Sequence, residues 1–283
     1  MKEVLVPLDG SEHAELALAP ASDVAKALGA GICLVAVHPA DEELWAAAQI
    51  DLTAELSHRR VWLEGYLEGV ARKLRADVPD VRWEVRQGDV SGQLRDAAAA
   101  EDTAIVAIAT SGEAGFQGIP STSVTDRLVR AKLKPVLVVP PHADSTAGTG
   151  LLVPLDGSTA GAAALSFARE LAKTGGAPLH LVHVVNANPG WAIAEDAQER
   201  LTTALRDRGT EYLGSVAQTS ETTAVLEGPV LDAVLDYAAE HDCGLVLLAT
   251  HGRSGPERIE LGSVADGIVR AADRPVILVP AGA

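Results

Sequence analysis

The chain has 283 residues, of which 47% are hydrophobic but only 3% aromatic, and it carries a formal net charge of −16 at pH 7. The acidic excess is shared by both halves of the sequence, so neither half offers the basic surface that nucleic-acid backbones or anionic membranes attract. The length favours two domains, each with a core built from Ala, Val, Leu and Ile.

The first residues and the two cysteines indicate a cytoplasmic protein. Met1–Glu3 leads into an apolar run that ends at Asp9, which is too short for a signal peptide. No apolar run approaches the ~20 residues that span a bilayer. Cys33 and Cys243 lie in or beside apolar strand patterns, so we expect buried free thiols rather than a disulfide or a metal site.

Short apolar runs alternate with longer amphipathic stretches along the first half of the chain. The apolar runs predict strands near residues 3–8, 31–37, 81–87, 104–110 and 135–140. The amphipathic stretches predict helices near residues 12–28, 51–76, 91–101 and 121–132. Nearly continuous apolar strands are typical of parallel sheets covered by helices. The pattern therefore predicts a doubly wound α/β domain, with five parallel strands and helices on both faces.

The second half repeats the first. VLVPLDGS at residues 4–11 returns as LLVPLDGS at 151–158, and IVAIAT at 105–110 returns as LVLLAT at 245–250. SVTDRLVR at 123–130 likewise returns as SVADGIVR at 263–270. We therefore predict two tandem domains, residues 1–145 and 146–283, joined by a Gly-rich linker over residues 142–150. The shift in offset places the length difference between the second and third strands.

The first strand of each copy ends in Asp-Gly-Ser. Doubly wound sheets bind ligands beyond the carboxyl ends of their strands, where the strand order reverses, so Asp9 and Asp156 are expected at the mouth of such a crevice. Ser11 and Ser158 are expected to cap the following helices, worth ~1 kcal/mol each. Since Ser alone supplies the cap, we expect the aspartates to contact a ligand; a purely structural role is the alternative.

In the second copy, the fourth strand runs into ATHGRSG at residues 249–255, and Gly262 and Ser263 open the next helix. Glycines allow a backbone to approach a ligand closely, and a helix N-terminus presents free amides and positive potential. These features predict a phosphate cradle, although an ordinary capped helix after a Gly-rich loop has the same composition. Neither the Walker-type nor the dinucleotide-binding glycine motif occurs.

Gly252 is followed by nine residues and then by Gly262-Ser263, and the second copy opens with a strand that ends in Asp-Gly-Ser. This pattern resembles that of the universal stress protein family. Its ATP-binding members carry Gly, two residues, Gly, nine residues, then Gly-Ser or Gly-Thr. Ala249 stands here in place of the first glycine. The resemblance covers both copies, so the chain is similar to tandem members with an adenine nucleotide alpha hydrolase-like fold, and it implies ATP, AMP or ADP as ligand.

The resemblance implies a nucleotide site in the second copy. Asp156 and the main chain of Val184 would hold adenine, Gly228 would line the ribose, and the start of the last helix would take the phosphates. The implied contact residues are Asp156, Gly157, Val184, Gly228, Ala249, Gly252, Arg253, Gly262, Ser263 and Val264.

The first copy departs from this pattern at two positions. Glu113 stands in the place of Arg253, and Thr122 in the place of Gly262. A carboxylate beside a phosphate costs about 1–4 kcal/mol in a partly desolvated crevice, so we predict a weakened or lost first site. The candidate contact residues retained in this copy are Asp9, Val37, Gly112 and Ser123.

Three functions remain open at this level. The chain is a nucleotide-binding regulator of a stress response acting through an unidentified protein partner, a slow ATPase that uses Mg²⁺, or an assembly scaffold without ligand. No positioned nucleophile is evident, which favours the regulator. Family members often dimerise through their last strands, so the resemblance implies an intrachain pseudo-dimer through residues 136–139 and 276–279, with a homodimer of chains as a further association.

Overall fold

The computed structural model of the protein describes residues 1–38, 52–110, 124–143, 148–186, 195–250 and 261–281. The chain divides into two compact units, Met1–Pro141 and His142–Ala283. The strands of the first unit are β1 (Glu3–Pro7), β2 (Gly31–His38), β3 (Val81–Gln87), β4 (Thr103–Ala109) and β5 (Val136–Val139). Its helices are α1 (Glu12–Glu15), α2 (Leu18–Leu28), α3 (Leu52–Leu74), α4 (Val90–Ala98) and α5 (Val124–Ala131).

The second unit repeats this succession of elements. Its strands are β6 (Gly150–Pro154), β7 (Leu179–Val185), β8 (Thr222–Glu227), β9 (Cys243–Ala249) and β10 (Val276–Val279). Its helices are α6 (Thr159–Gly175), α7 (Glu195–Val216), α8 (Val230–Glu240) and α9 (Ser263–Ala271).

Each unit contains five parallel strands, as predicted. The order is β3-β2-β1-β4-β5 in the first unit and β8-β7-β6-β9-β10 in the second. Because β1 is followed by β2 on one side while β4 lies on its other side, the strand order reverses between β1 and β4. The equivalent switch in the second unit lies between β6 and β9. In doubly wound sheets, ligands bind beyond the carboxyl ends of the strands at such a switch.

Helices cover both faces of each set of strands. In β3, the Trp83 indole nitrogen donates to Glu68 of α3 (2.8 Å), whereas Arg86 donates to the Gln93 carbonyl of α4 (3.1 Å). Residues three apart in a strand point to opposite faces, so α3 and α4 lie on opposite sides of β3.

The same alternation occurs in β7 of the second unit. The ring of His180 meets the Tyr237 hydroxyl of α8 at 3.1 Å, and the ring of His183 packs edge-on against Tyr212 of α7. The two histidines therefore contact helices on opposite faces, and each unit has the doubly wound α/β fold predicted from its sequence.

The helix predicted near residues 12–28 is interrupted in the structure. The stretch over residues 12–28 forms two helices, because Pro20 has no amide to donate to the carbonyl of Leu16 and its ring crowds that carbonyl. The chain bridges the break with short turns, in which Leu16 and Ala17 donate to carbonyls three residues earlier (3.2 and 3.3 Å). The second unit has Phe167 at the equivalent position, and α6 is unbroken there.

The strands form most of the buried core, which is aliphatic. Cys33 and Cys243 are free and buried, as predicted, and burial raises the pKa of their thiols to about 12 and about 11. Within the described ranges, no helix combines the length and apolar character that crossing a membrane requires.

Candidate functional site

The Asp-Gly-Ser turn of the first unit is a closed hydrogen-bonded structure. Asp9 Oδ1 accepts from the Ser11 amide (2.9 Å) and from the Ser11 hydroxyl (2.6 Å). The Ser11 hydroxyl oxygen in turn accepts from the Ala14 amide (3.1 Å), which caps α1 as predicted. Partial burial acts to raise the pKa of Asp9, but the bonds from Ser11 outweigh it and lower that pKa below its usual value.

The second unit builds the same turn at Asp156. Its Oδ1 accepts from the Ser158 amide (2.9 Å), and the Ser158 hydroxyl caps α6 by accepting from the Gly161 amide (3.1 Å). Gly157 has φ +80°, a conformation that favours glycine. The turn thus fixes the position of a carboxylate at the carboxyl end of β6, which is the structural role that the sequence left as an alternative.

Helix α9 begins at the carboxyl end of β9. Gly262 is its N-cap, and the Gly262 amide donates to the carbonyl of Thr250, the residue that follows β9 (2.9 Å). Glycine has no side chain with which to cap the helix, and the first amides of a helix have no acceptor within it. Ser263 and Val264, the first two helical residues, are exposed. The amides at this end can therefore bind an anion.

The turn and the helix start meet at the strand-order switch of the second unit. β6 and β9 are adjacent parallel strands, with Leu151 paired to Leu245. Asp156 lies two residues beyond the end of β6 at Pro154, and the bond from the Gly262 amide to the Thr250 carbonyl ties the start of α9 to the end of β9. A hydrogen-bond acceptor and the N-terminal end of a helix thus lie at the same end of the sheet.

The other described candidates of the second unit lie at different distances from this switch. Ala249 is the last residue of β9 and is half-buried, and Val184 lies near the end of β7, the strand next to β6. Gly228 follows β8, which is separated from β6 by β7. Its φ of +115° and its amide bond to the Val185 carbonyl (3.2 Å) close that strand end. The structure therefore brings Ala249 and Val184 nearer to the switch than Gly228.

In the first unit, Asp9 and Val37 follow the same arrangement. β1 pairs with β2 through Pro7 and Val35, so the two candidates lie at the carboxyl ends of adjacent strands. The remaining candidates of the Gly-rich loops lie outside the described residues, namely Gly112, Glu113, Thr122, Ser123, Gly252 and Arg253.

A histidine that the sequence did not assign to the site supports the Asp156 turn. His183 Nδ1 lies 2.7 Å from the carbonyl oxygen of Leu155, the residue before Asp156, so this nitrogen carries the proton and donates. The neighbouring helix approaches closely at Gly209, where a Cβ would lie 2.9 Å from His183 Cδ2. Only the position of His183 one residue before Val184 hinted at this contact.

Within the described part of the chain, no three His, Cys, Asp or Glu side chains are placed to hold a metal ion. The acceptor at Asp156 and the amides at the start of α9 suit a ligand that combines hydrogen-bond donors with an anionic group. The chemistry of the site therefore matches an organic anion that also carries a hydrogen-bond donor.

Two doubly wound α/β units in tandem, each with a strand-end crevice, define the class of protein. The model of the universal stress protein family matches residues 1–140 and again residues 150–280. The chain therefore belongs to the universal stress protein family, as a tandem member.

Individual relatives agree with this assignment. A universal stress protein of Methanocaldococcus jannaschii is 31% identical over 136 residues, covering 46% of this chain and 80% of that protein. Universal stress protein A homolog 1 of Coxiella burnetii is 27% identical over 136 residues, covering 46% and 94%.

Solved structures resemble the whole chain in fold. A universal stress protein from Archaeoglobus fulgidus superposes with a TM-score of 0.69 and 20% identity, covering 99% of this chain and 98% of that one. A second, described as a putative universal stress protein from Pseudomonas aeruginosa, gives a TM-score of 0.64 and 18% identity over 99% and 93%. At these identities the likeness supports the fold alone.

Proposed function

We propose that the protein is a cytoplasmic regulator of a stress response that binds an adenine nucleotide, ATP above all, mainly in its second domain, residues 146–283. The observation that carries the proposal is the start of α9, seated at the end of β9 beside the Asp156 turn. Nucleotide binding at this site changes the surface that a protein partner recognises.

The adenine end of the proposed site is formed by Asp156 and Val184. The exocyclic amino group of adenine is a hydrogen-bond donor, and a carboxylate is the strongest acceptor available to it. The local turn holds Asp156 through its bond from the Ser158 amide (2.9 Å), so little entropy is lost on binding. The main chain of Val184, on the neighbouring strand, supplies the second contact to the base.

The phosphate end is formed by Gly262, Ser263 and Val264. The amides of the first helical turn and the positive end of the helix dipole attract anions. Gly252 and Arg253 lie outside the described residues; the resemblance to ATP-binding family members implies that they contact the ribose and phosphates. Gly228 is the weaker ribose contact, because β7 separates its strand from β6.

The first domain, residues 1–145, retains Asp9 and Val37 but not the phosphate end. In the sequence, Glu113 replaces Arg253 and Thr122 replaces Gly262, so the family pattern implies a carboxylate near the phosphates. This site is expected to bind nucleotide weakly or not at all.

Substitution of Gly262 tests the proposal. Gly262 has φ −60° and ψ 144°, a conformation open to any residue, so neither Gly262→Ala nor Gly262→Asp strains the backbone. Asp is also a better N-cap than Gly, by a few tenths of a kcal/mol, so Gly262→Asp is expected to fold at least as well as the wild type.

The carboxylate introduced by Gly262→Asp repels phosphate by about 1–4 kcal/mol. Isothermal titration should therefore show ATP affinity at least about fivefold weaker in this variant, with Gly262→Ala much less affected. Equal ATP affinity in Gly262→Asp and wild type would contradict the proposal. Phosphate release is measured in parallel: sustained turnover that Gly262→Asp abolishes would instead identify an ATPase.

A further inference from the structure

Two aromatic side chains lie at the mouth of the first unit's crevice. Trp62 and Tyr66, one turn apart on α3, stack with parallel rings, whose centroids are 5.6 Å apart and whose planes differ by 4°. The Tyr66 hydroxyl donates to Glu15 of α1 (2.9 Å), which anchors the pair to the helix that follows the Asp9 turn. Trp62 is nevertheless 53% exposed. An aromatic pair is thus held at the entrance rather than in the core.

The indole of Trp62 reaches the backbone of the Asp-Gly-Ser turn. A Cβ at Gly10 would overlap Cη2 of the indole and lie 2.9 Å from Cζ3. Gly10 has φ +89° and directly follows Asp9. The six-membered ring of the indole therefore rests against the Asp-Gly-Ser turn at the carboxyl end of β1, which we call the β1 tip (residues 9–11). This tip and the adjacent end of β2 are where the proposed function places adenine in a competent unit.

The second unit has no aromatic residue at the equivalent position. The motif Tyr-Leu-x-x-Val-Ala begins at Tyr66 in the first unit and at Tyr212 in the second, and its leucine is buried in both. Four residues before the tyrosine, Trp62 corresponds to Arg208, which is exposed. The two crevices therefore differ in a side chain that the Gly-rich loops do not contribute.

We propose that Trp62 selects between the two nucleotide sites: its indole occupies the base position of the first unit and excludes adenine from it. The inference rests on the proposed function. Indole and adenine are flat bicyclic rings of similar size, so one volume beside Asp9 cannot hold both. The stacking on Tyr66, together with the Tyr66–Glu15 bond, keeps the indole in place. Glu113 disfavours phosphates in this unit, whereas Trp62 disfavours the base itself.

Adenosine is the probe that isolates this effect, because it has no phosphate for Glu113 to repel. Equilibrium dialysis gives the number of adenosines bound per full-length chain, and hydrogen exchange of the β1 tip reports whether the first unit is occupied. The variants are Trp62→Ala and Trp62→Arg, the latter copying the second unit. Val61→Ala is the control, since Val61 is its exposed neighbour on α3, at 68%. Circular dichroism and Tm confirm that each variant folds.

The wild type and Val61→Ala are expected to bind one adenosine per chain without protection of the β1 tip. Both Trp62 variants are expected to bind a second adenosine, at least tenfold more tightly in the first unit than wild type, with the β1 tip protected. If both Trp62 variants bind adenosine in the first unit as weakly as the wild type, the proposal is overturned. If they bind it more weakly still, the proposal is also overturned, and the indole stacks on the base instead of excluding it.

The same experiment separates this inference from the proposed function. If the wild type binds no nucleotide, the proposed function fails, and protection of the β1 tip in the Trp62 variants still decides the role of Trp62. If the wild type already binds two adenosines with equal affinity, Trp62 excludes nothing and the inference is wrong.

Discussion

Replacing Asp156 with Asn separates the structural role of its carboxylate from its proposed role in binding. Asp156 Oδ1 accepts from the Ser158 amide at 2.9 Å, and the amide oxygen of Asn can accept the same bond. The turn should persist, with a loss of at most about 1 kcal/mol in the free energy of unfolding. A hydrogen bond from adenine to a carboxylate is about twice as strong as one to a neutral oxygen, so ATP binding should weaken about tenfold.

Ser158→Ala is the matched control, because it removes the cap bond to the Gly161 amide (3.1 Å) and leaves the carboxylate in place. It should lower the free energy of unfolding by about 1 kcal/mol and change ATP affinity by less than about threefold, roughly 0.6 kcal/mol. Urea unfolding gives the stabilities and isothermal titration the affinities. If Asp156→Asn binds ATP as tightly as wild type, Asp156 is a turn residue only and the base contact is refuted.

Two further predictions concern the packing that supports this domain. Gly209→Ala should destabilise the domain by about 1–2 kcal/mol in urea unfolding, because the new Cβ would lie 2.9 Å from His183 Cδ2. Gly214→Ala is the control on the same helix: a Cβ there would have nothing within 4 Å, so it should stabilise the domain by up to about 1 kcal/mol. Stabilisation by both variants would contradict the contact between Gly209 and His183. Glu221→Gln should cost about 2–3 kcal/mol at pH 7, because Arg169 donates to both carboxylate oxygens (2.6 and 2.8 Å). The bond from Arg169 holds the pKa of Glu221 below its usual value. The stabilisation is therefore complete above about pH 4.5 and is lost as the pH falls through the lowered pKa. If the difference in free energy of unfolding between wild type and Glu221→Gln stays constant from pH 7 to pH 3, this prediction is refuted.

The repeat and the strand pattern predicted the fold because both are local properties of the sequence. The caps at Ser11 and Ser158 were predictable for the same reason, since a cap involves residues three apart. The break between α1 and α2 was also encoded locally, by Pro20, but the amphipathic pattern continues across it. Hydrophobic periodicity indicates which face of a segment is buried, and it does not report a missing amide.

The contacts that distinguish the two crevices could not be predicted from the sequence in this way. Trp62 meets Gly10 across 52 positions of the chain, and His183 meets Leu155 across 28. Whether these side chains touch depends on how closely a helix approaches the sheet. That distance depends on side-chain size at the helix surface, as where Leu63 in the first unit corresponds to Gly209 in the second. The Gly-rich loop differences at Glu113 and Thr122 were visible in the sequence, whereas the aromatic side chain beside Asp9 required the structure.

Counting the nucleotides bound per chain addresses the proposed site as a whole. Purified full-length protein is saturated with ATP, freed of excess nucleotide and denatured, and the released nucleotide is identified by mass and quantified against protein. We expect one adenine nucleotide per chain in the wild type and in Gly262→Ala, and little in Gly262→Asp. Two equivalent nucleotides per chain, none at all, or one that survives Gly262→Asp would contradict a single site built on Asp156 and the start of α9.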